Sequence, residues 1–296
     1  RGRIVATGRG QAPDRDENCR RRDSPTSGEE AHRGRILPKA LSARLLAIVT
    51  AASLATLAWA GPAAAYCFTT TCDEQPACDG EPAPEGGARL KWKSRCMGFS
   101  VQEDGGAELD GDTVEILTEL AFDAWRLADC GDGTTPGFVV QNLGRIACDK
   151  TQYNKDAGNA NVIVVRAKRW PHGDTGHNIA LTTTTFDPDS GELLDADIEL
   201  NADNYLLSVS DEAVDFDLLS VLTHEVGHFL GMAHSDLPEA TMFAIYEGGT
   251  TELRSLDPDD VAGICARYPP DDAPQETCNP LPRHGFSPYC RDDQPE

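Results

Sequence analysis

The spacing of hydrophobic positions changes along the chain, and each change predicts an element. Over residues 89–102 the apolar positions Trp92, Met97, Phe99 and Val101 come close to the alternation of a strand. After Asp112 the period turns helical, with Val114, Leu117, Ala121, Ala124, Trp125 and Ala128 on one face. Residues 138–141 read as a short strand, and NVIVV at 161–165 as a strand buried in the middle of a sheet. The β-branched run 180–186 and the alternating run 196–201 predict two more strands. A second helix is predicted from near Asp215, with Leu218, Leu219, Leu222 and Val226 packing beneath it. Asp257 and Pro258 open a third, proline being favoured in a first turn. The order is β-α-β-β-β-β-α-α, without internal repeats.

The ends of the chain do not fit that pattern. Residues 45–60, LLAIVTAASLATLAWA, are apolar, follow Lys39 and Arg44, and precede Gly61, Pro62 and three alanines. A basic flank, an apolar core and a small-residue site predict a secretory signal peptide over 45–65, cut after Ala65. The run is short for a membrane span, which needs about 20 residues; an uncleaved anchor is the alternative. Residues 1–44 are polar and Arg-rich, and no Met precedes Met97. They read as a disordered extension or as sequence ahead of the true start, and no structure is predicted for them. Residues 66–88 form a Cys-rich segment, 89–270 the main domain and 271–296 a Pro-rich tail.

Charge removes one class of function. The chain has 26 basic and 49 acidic side chains, a net −23. From residue 66 onward there are 15 basic against 43 acidic, a net −28. Such a chain repels phosphates, so nucleic acid is excluded as a partner, and it repels anionic lipid. Nine of the ten cysteines follow Ala65, and in an exported chain they read as disulfides. An odd number implies one that is free or pairs between molecules. Cys278 and Cys290 bracket the tail and are expected to pair; Cys130 and Cys148 are expected to close the loop after the first helix.

The candidate chemistry lies in residues 224–234, HEVGHFLGMAH. Positions four apart share a helix face, so His224 and His228 can aim at one ion. Gly231 can leave the helix in a left-handed conformation and return the chain with His234 as a third ligand. Three neutral imidazoles suit zinc and leave a fourth position open. Glu225, next to a ligand, is the candidate general base and acid. The alternatives are a helix with unrelated histidines and a scaffold that binds zinc without cleaving, as a binding or adhesion protein does.

At these residues the chain resembles a metzincin, whose signature is H-E-x-x-H-x-x-G-x-x-H followed by a Met-turn. Ser235, Pro238 and Met242 resemble the matrixin branch, as does SLDPDDVAGICARYP at 255–269. The resemblance is firm from about 161 to 269 and weaker from about 90. It implies an α+β fold: a twisted, mostly parallel sheet with three helices, an active-site helix and a Met-turn. It implies a secreted zinc metalloendopeptidase acting on protein or peptide substrates as a monomer, off the membrane once the signal is cut. Composition and signal region suggest a bacterial source. Met242 would form the floor under the zinc and Tyr246 shape the S1′ pocket. The strand near 182–186 would be the edge to which an extended peptide adds, unless a loop covers it.

The chain also departs from that family. Ala244 stands where matrixins carry a proline. His172 and Asp174 match the start of a second, structural zinc set, but its later positions fall near Thr184 and Asp197, so that zinc is expected to be absent. Around Cys96, SRCMGFS does not resemble a cysteine switch. The acidic run FDPDSGELLDADIE offers oxygen ligands for calcium at Asp187, Asp189, Asp195, Asp197 and Glu199; a solvated acidic hairpin is the alternative.

Overall fold

The structure, a computed structural model, describes residues 2–10, 19, 65–72, 75–78, 81–106, 109–173, 178–272 and 278–291. Apart from Ala65, the expected signal peptide lies outside these. Among the described residues no helix is long and apolar enough to cross a membrane.

The elements appear in the predicted order, with a nine-residue strand added at the start and several two-residue strands elsewhere. They are β1 (Gly2–Gly10), β2 (Cys67–Phe68), β3 (Ala77–Cys78), β4 (Cys96–Gln102), α1 (Gly111–Arg126), β5 (Val139–Ile146), β6 (Val162–Val165), β7 (Asn178–Phe186) and β8 (Leu193–Leu200). There follow β9 (Leu207–Ser208), β10 (Phe216–Asp217), α2 (Leu218–Phe229), β11 (Met232–Ala233), β12 (Ile245–Tyr246) and α3 (Pro258–Arg267). Seven strands form a mixed sheet in the order β12-β1-β7-β8-β6-β4-β5. Pairing is parallel except at β7–β8 and β1–β12. This is the α+β metzincin architecture.

Side-chain alternation assigns the two faces of the sheet. Ile163 and Val165 of β6 and Ala196, Ile198 and Leu200 of β8 join the core shared with the helices. Val162 and Val164 point the other way, to a small cluster with Ile146, Cys148 and Cys290, against which Phe286 packs. Asp110 caps α1 by accepting from the Thr113 amide at 2.9 Å, satisfying an otherwise orphaned donor. Val114, Thr118, Ala121, Phe122 and Trp125 are the buried stripe of that helix. Trp125 Nε1 donates to Thr223 O at 2.7 Å, clamping α1 to α2.

Several expectations are corrected. Residues 2–10, given no structure from the sequence, form β1 alongside β7, with Ala6 opposite Thr182. Pairing at a sheet edge is made by backbone groups, so side-chain pattern does not announce it. The edge expected to be open or loop-covered is therefore held by a strand of the same chain. The cysteines pair as Cys19–Cys72, Cys67–Cys78, Cys96–Cys278, Cys130–Cys265 and Cys148–Cys290, and none is free. Cys278–Cys290 and Cys130–Cys148 do not form: the tail returns across the sheet and ties to β4 and to the loop after β5, not to itself. The odd cysteine disappears because Cys19 supplies a tenth.

Candidate metal centre

Helix α2 is short, apolar and buried on nearly every side. Asp217 caps it, accepting from the Ser220 amide and hydroxyl at 2.8 Å each. Leu218, Leu222 and Val226 are fully buried beneath it, as their spacing predicts, whereas Leu219 is only partly buried. The helix stops where expected. Gly231 has φ +90°, and a Cβ there would lie 2.5 Å from Leu90 O. Both conformation and space demand glycine. Past that turn β11 pairs with β2, and His234 comes back toward the helix.

The three imidazoles converge. His224 Nε2 lies 3.0 Å from His228 Nε2, which lies 3.2 Å from His234 Nε2. Zinc–nitrogen bonds of about 2.05 Å at tetrahedral angles separate ligand nitrogens by about 3.3 Å, so the trio fits a zinc site. Backbone carbonyls orient the rings: Thr241 O faces His224 Nδ1 at 2.6 Å and Met232 O faces His228 Nδ1 at 3.0 Å. With Nδ1 held as donor, each Nε2 presents its lone pair inward. Burial, then the neighbouring histidines, pushes His224 down to about 3 and His228 in the same direction. Both are neutral, as ligation requires. His234 is partly exposed, so the centre opens on its side.

Glu225 is fully buried, and burial pushes its carboxyl up to about 8, against the hydrogen bonds from Thr182. The Thr182 hydroxyl donates to Glu225 Oε2. Glu225 Oε1 is buried and has no partner among the described residues.

The turn that carries Met242 is held by side chains that sequence reasoning missed: Asp259, Asp260 and Arg254. Met242 packs under α2 so closely that a Cβ on Gly227 would meet its sulfur at 2.2 Å. The Asp260 carboxylate of α3 accepts from the amides of Thr241 (2.7 Å), Met242 (3.1 Å) and Asp257 (3.0 Å). Burial pushes that carboxyl up to about 6 despite these bonds. Asp259 accepts from the Ser235 hydroxyl at 2.7 Å and the Tyr66 amide at 2.9 Å. The only signal in the sequence was the acidic pair opening a helix. Tyr246 is buried, donates to Thr250 O and accepts from the Asp217 amide. Arg254 grips Asp217 with Nε at 2.8 Å and Nη2 at 2.6 Å.

The five acids offered as calcium ligands are not brought together around one point. Asp187 accepts from the amides of Asp189 and Ser190 in the exposed turn between β7 and β8. Asp195, Asp197 and Glu199 lie buried along β8. Asp197 accepts from the Val162 amide, and Glu199 binds Arg166 at 2.6 Å and His172 at 2.7 Å. Among the described residues, His224, His228 and His234 are the one group of three or more such side chains placed to share an ion. Of the second-zinc positions, His172 is engaged by Glu199 and Asp174 lies outside the described residues. Cys96 is in a disulfide, so it offers no thiol.

Comparison with known proteins agrees with the geometry. The matrixin family profile matches residues 151–269. Matrilysin of Mus musculus is 35% identical over 184 residues, 60% of this chain and 59% of that protein. Matrilysin of Rattus norvegicus is 36% identical over 117 residues, 38% of this chain and 41% of that protein. Metalloendoproteinase 1-MMP of Arabidopsis thaliana is 40% identical over 87 residues, 29% of this chain and 23% of that protein. The chain thus spans less than two thirds of the length of these relatives. Residues 151–269, the stretch similar to matrixins, carry the histidine trio and the turn beneath it.

Proposed function

We propose that the protein is a secreted zinc metalloendopeptidase that hydrolyses peptide bonds in protein or peptide substrates. The observation that carries this is the trio of Nε2 atoms at 3.0 and 3.2 Å, next in sequence to a buried carboxylate with one unpartnered oxygen. His224, His228 and His234 would hold the ion. Zinc, when bound, lowers the pKa of water to about 7 and polarises a carbonyl oxygen. Glu225 would take a proton at Oε1 from the attacking water as its oxygen bonds to the carbonyl carbon, and give it to the amine as the C–N bond breaks, so no acyl-enzyme is needed. Met242 supports the ligand helix from below, and Tyr246 walls the pocket beside the N-terminus of α2. The substrate adds as a strand to β7, taking the place of residues 2–10. The four disulfides within residues 66–296 support an oxidising, extracellular setting, and the apolar run at 45–60 supports export, which we read as export from a bacterial cell. We assign a monomer.

A peptide-library digestion tests the reading, using the full chain and residues 66–296, each with and without a zinc chelator. Cleavage should vanish under chelation and return with zinc. Glu225→Gln should keep zinc and lose cleavage. Cleavage unchanged by chelator overturns the proposal. Zinc-dependent ligand binding that survives Glu225→Gln, with no hydrolysis by the parent chain, would instead mark a binding protein.

A further inference from the structure

The hydrolytic reading gives Glu225 a task but does not say what holds its carboxylate in place. A buried glutamate has several rotamers, and ordering it costs entropy. Among the described residues one group orders it. Thr182 is fully buried in β7, and its hydroxyl donates to Glu225 Oε2 while lying 3.2 Å from Glu225 O. The other oxygen, Oε1, has no partner among the described residues. One carboxylate oxygen is thus pinned and the other left as the acceptor.

The position of Thr182 adds a second point. Its backbone belongs to β7, the strand next to the sheet edge where a peptide would add. On one side it lies opposite Ile198 of β8, and on the other opposite Ala6 of β1. The same residue therefore presents main chain toward the strand occupying that edge and side chain to the acid beneath it. Valine, alanine or serine would fit the strand; of these only serine keeps a hydroxyl on Cβ.

We propose that Thr182 is a positioning residue for peptide hydrolysis: through its hydroxyl it fixes Glu225 Oε2, aligning Oε1 for proton transfer and coupling that alignment to the strand on which the substrate docks. The proposal rests on the hydrolase reading above. Thr182→Val removes the hydroxyl and conserves shape, and a misplaced base costs up to about 100-fold in rate. In zinc-loaded full-length protein, Thr182→Val should lower kcat by about 10- to 100-fold and leave KM within about twofold. Thr182→Ser should recover most of the lost kcat, with zinc content and circular dichroism unchanged in both. Thr182→Ala serves if the valine variant does not fold. Wild-type kcat in the valine variant, or a serine variant as slow as the valine one, overturns the proposal.

A readout independent of hydrolysis separates the two claims. The carboxyl 13C resonance of Glu225, assigned through Glu225→Gln, should move in Thr182→Val and stay in Thr182→Ser. An unmoved resonance in the valine variant overturns the role of Thr182 even if the chain cleaves peptides. A resonance that moves as expected, in a parent chain that cleaves nothing, keeps the contact but removes the reaction it was to serve, and the positioning role falls with the hydrolase reading.

Discussion

Two polar clusters lie buried on opposite faces of the same sheet, and their geometry differs in kind. On the helical face, His224, His228 and His234 bring their Nε2 atoms to neighbouring distances of 3.0 and 3.2 Å. On the other face, Asp195, Asp197 and Glu199 follow one another along β8. Alternate strand residues repeat every 6.5–7 Å or so; Asp197 accepts from Val162 and Glu199 binds Arg166 and His172, while Asp195 lies against Asp197. A helical turn followed by a glycine reversal folds ligands around a point, whereas a strand spreads them along a line. Desolvation falls on both clusters but drives them apart. Buried histidines become neutral and ready for a cation, while burial, followed by mutual repulsion, holds the Asp195 carboxyl well above its ordinary range. Two acids so close keep a proton between them.

The sharpest break of this contrast is to remove a converging ligand. His228→Ala should take bound zinc from one equivalent to near zero by metal analysis and reduce cleavage to background, with the fold retained by circular dichroism. Retained stoichiometric zinc would mean that the trio is not the metal site.

The next effect probes what holds the trio in place. Asp260→Ala leaves the Thr241 and Met242 amides unpaired in the core, and the carbonyl of Thr241 orients His224. Two orphaned buried donors should cost about 3 kcal/mol, or roughly 10 °C in Tm for a domain of this size. Calorimetry of the zinc-loaded and zinc-free proteins should show the loss in both. Gly227→Ala should cost about 1–3 kcal/mol by overpacking against Met242 and Trp125, and urea melts measure it.

The smallest effect belongs to the other cluster and has a definite sign. Asp195 and Asp197 have folded pKa values raised above the 3.8 of the unfolded chain, by burial first. The folded state then binds more protons than the unfolded one above pH 3.8. Their contribution to stability is complete below that pH and is lost as pH rises toward about 8. Asp195→Asn should flatten this decline, raising Tm at pH 8 by a few degrees relative to the parent and changing it little at pH 4. Millimolar calcium should not raise the parent Tm through these residues. A calcium-dependent rise abolished by Asp195→Asn would show that the row on β8 converges after all.

The legibility of the chain follows the same division. The order of elements was readable because amphipathic periodicity is local: Val114, Ala121 and Trp125 declare a helix face, and Ile163, Val164 and Val165 a central strand. The histidine trio was readable because helical geometry makes a four-residue spacing a distance. Gly231 was readable because few other residues tolerate φ near +90°. The hydrogen bond from Thr182 to Glu225 crosses 43 residues, and that from the Thr241 amide to Asp260 joins a turn to a helix; neither has a periodic signature. Nor did the disulfides: Cys130 meets Cys265 across 135 positions, so nearness along the chain misled.

What the sequence determined on its own is the set of local geometries: which segments coil or extend, where α2 must end, and which three rings can reach one ion. Those depend on torsions and side-chain spacing within a few residues. Tertiary structure alone decided which strand covers the edge of β7, which cysteines bond, and which hydroxyl holds the buried acid. These depend on long loops closing to bring distant groups into one desolvated place, and the entropy of that closure is repaid only by the packed core as a whole.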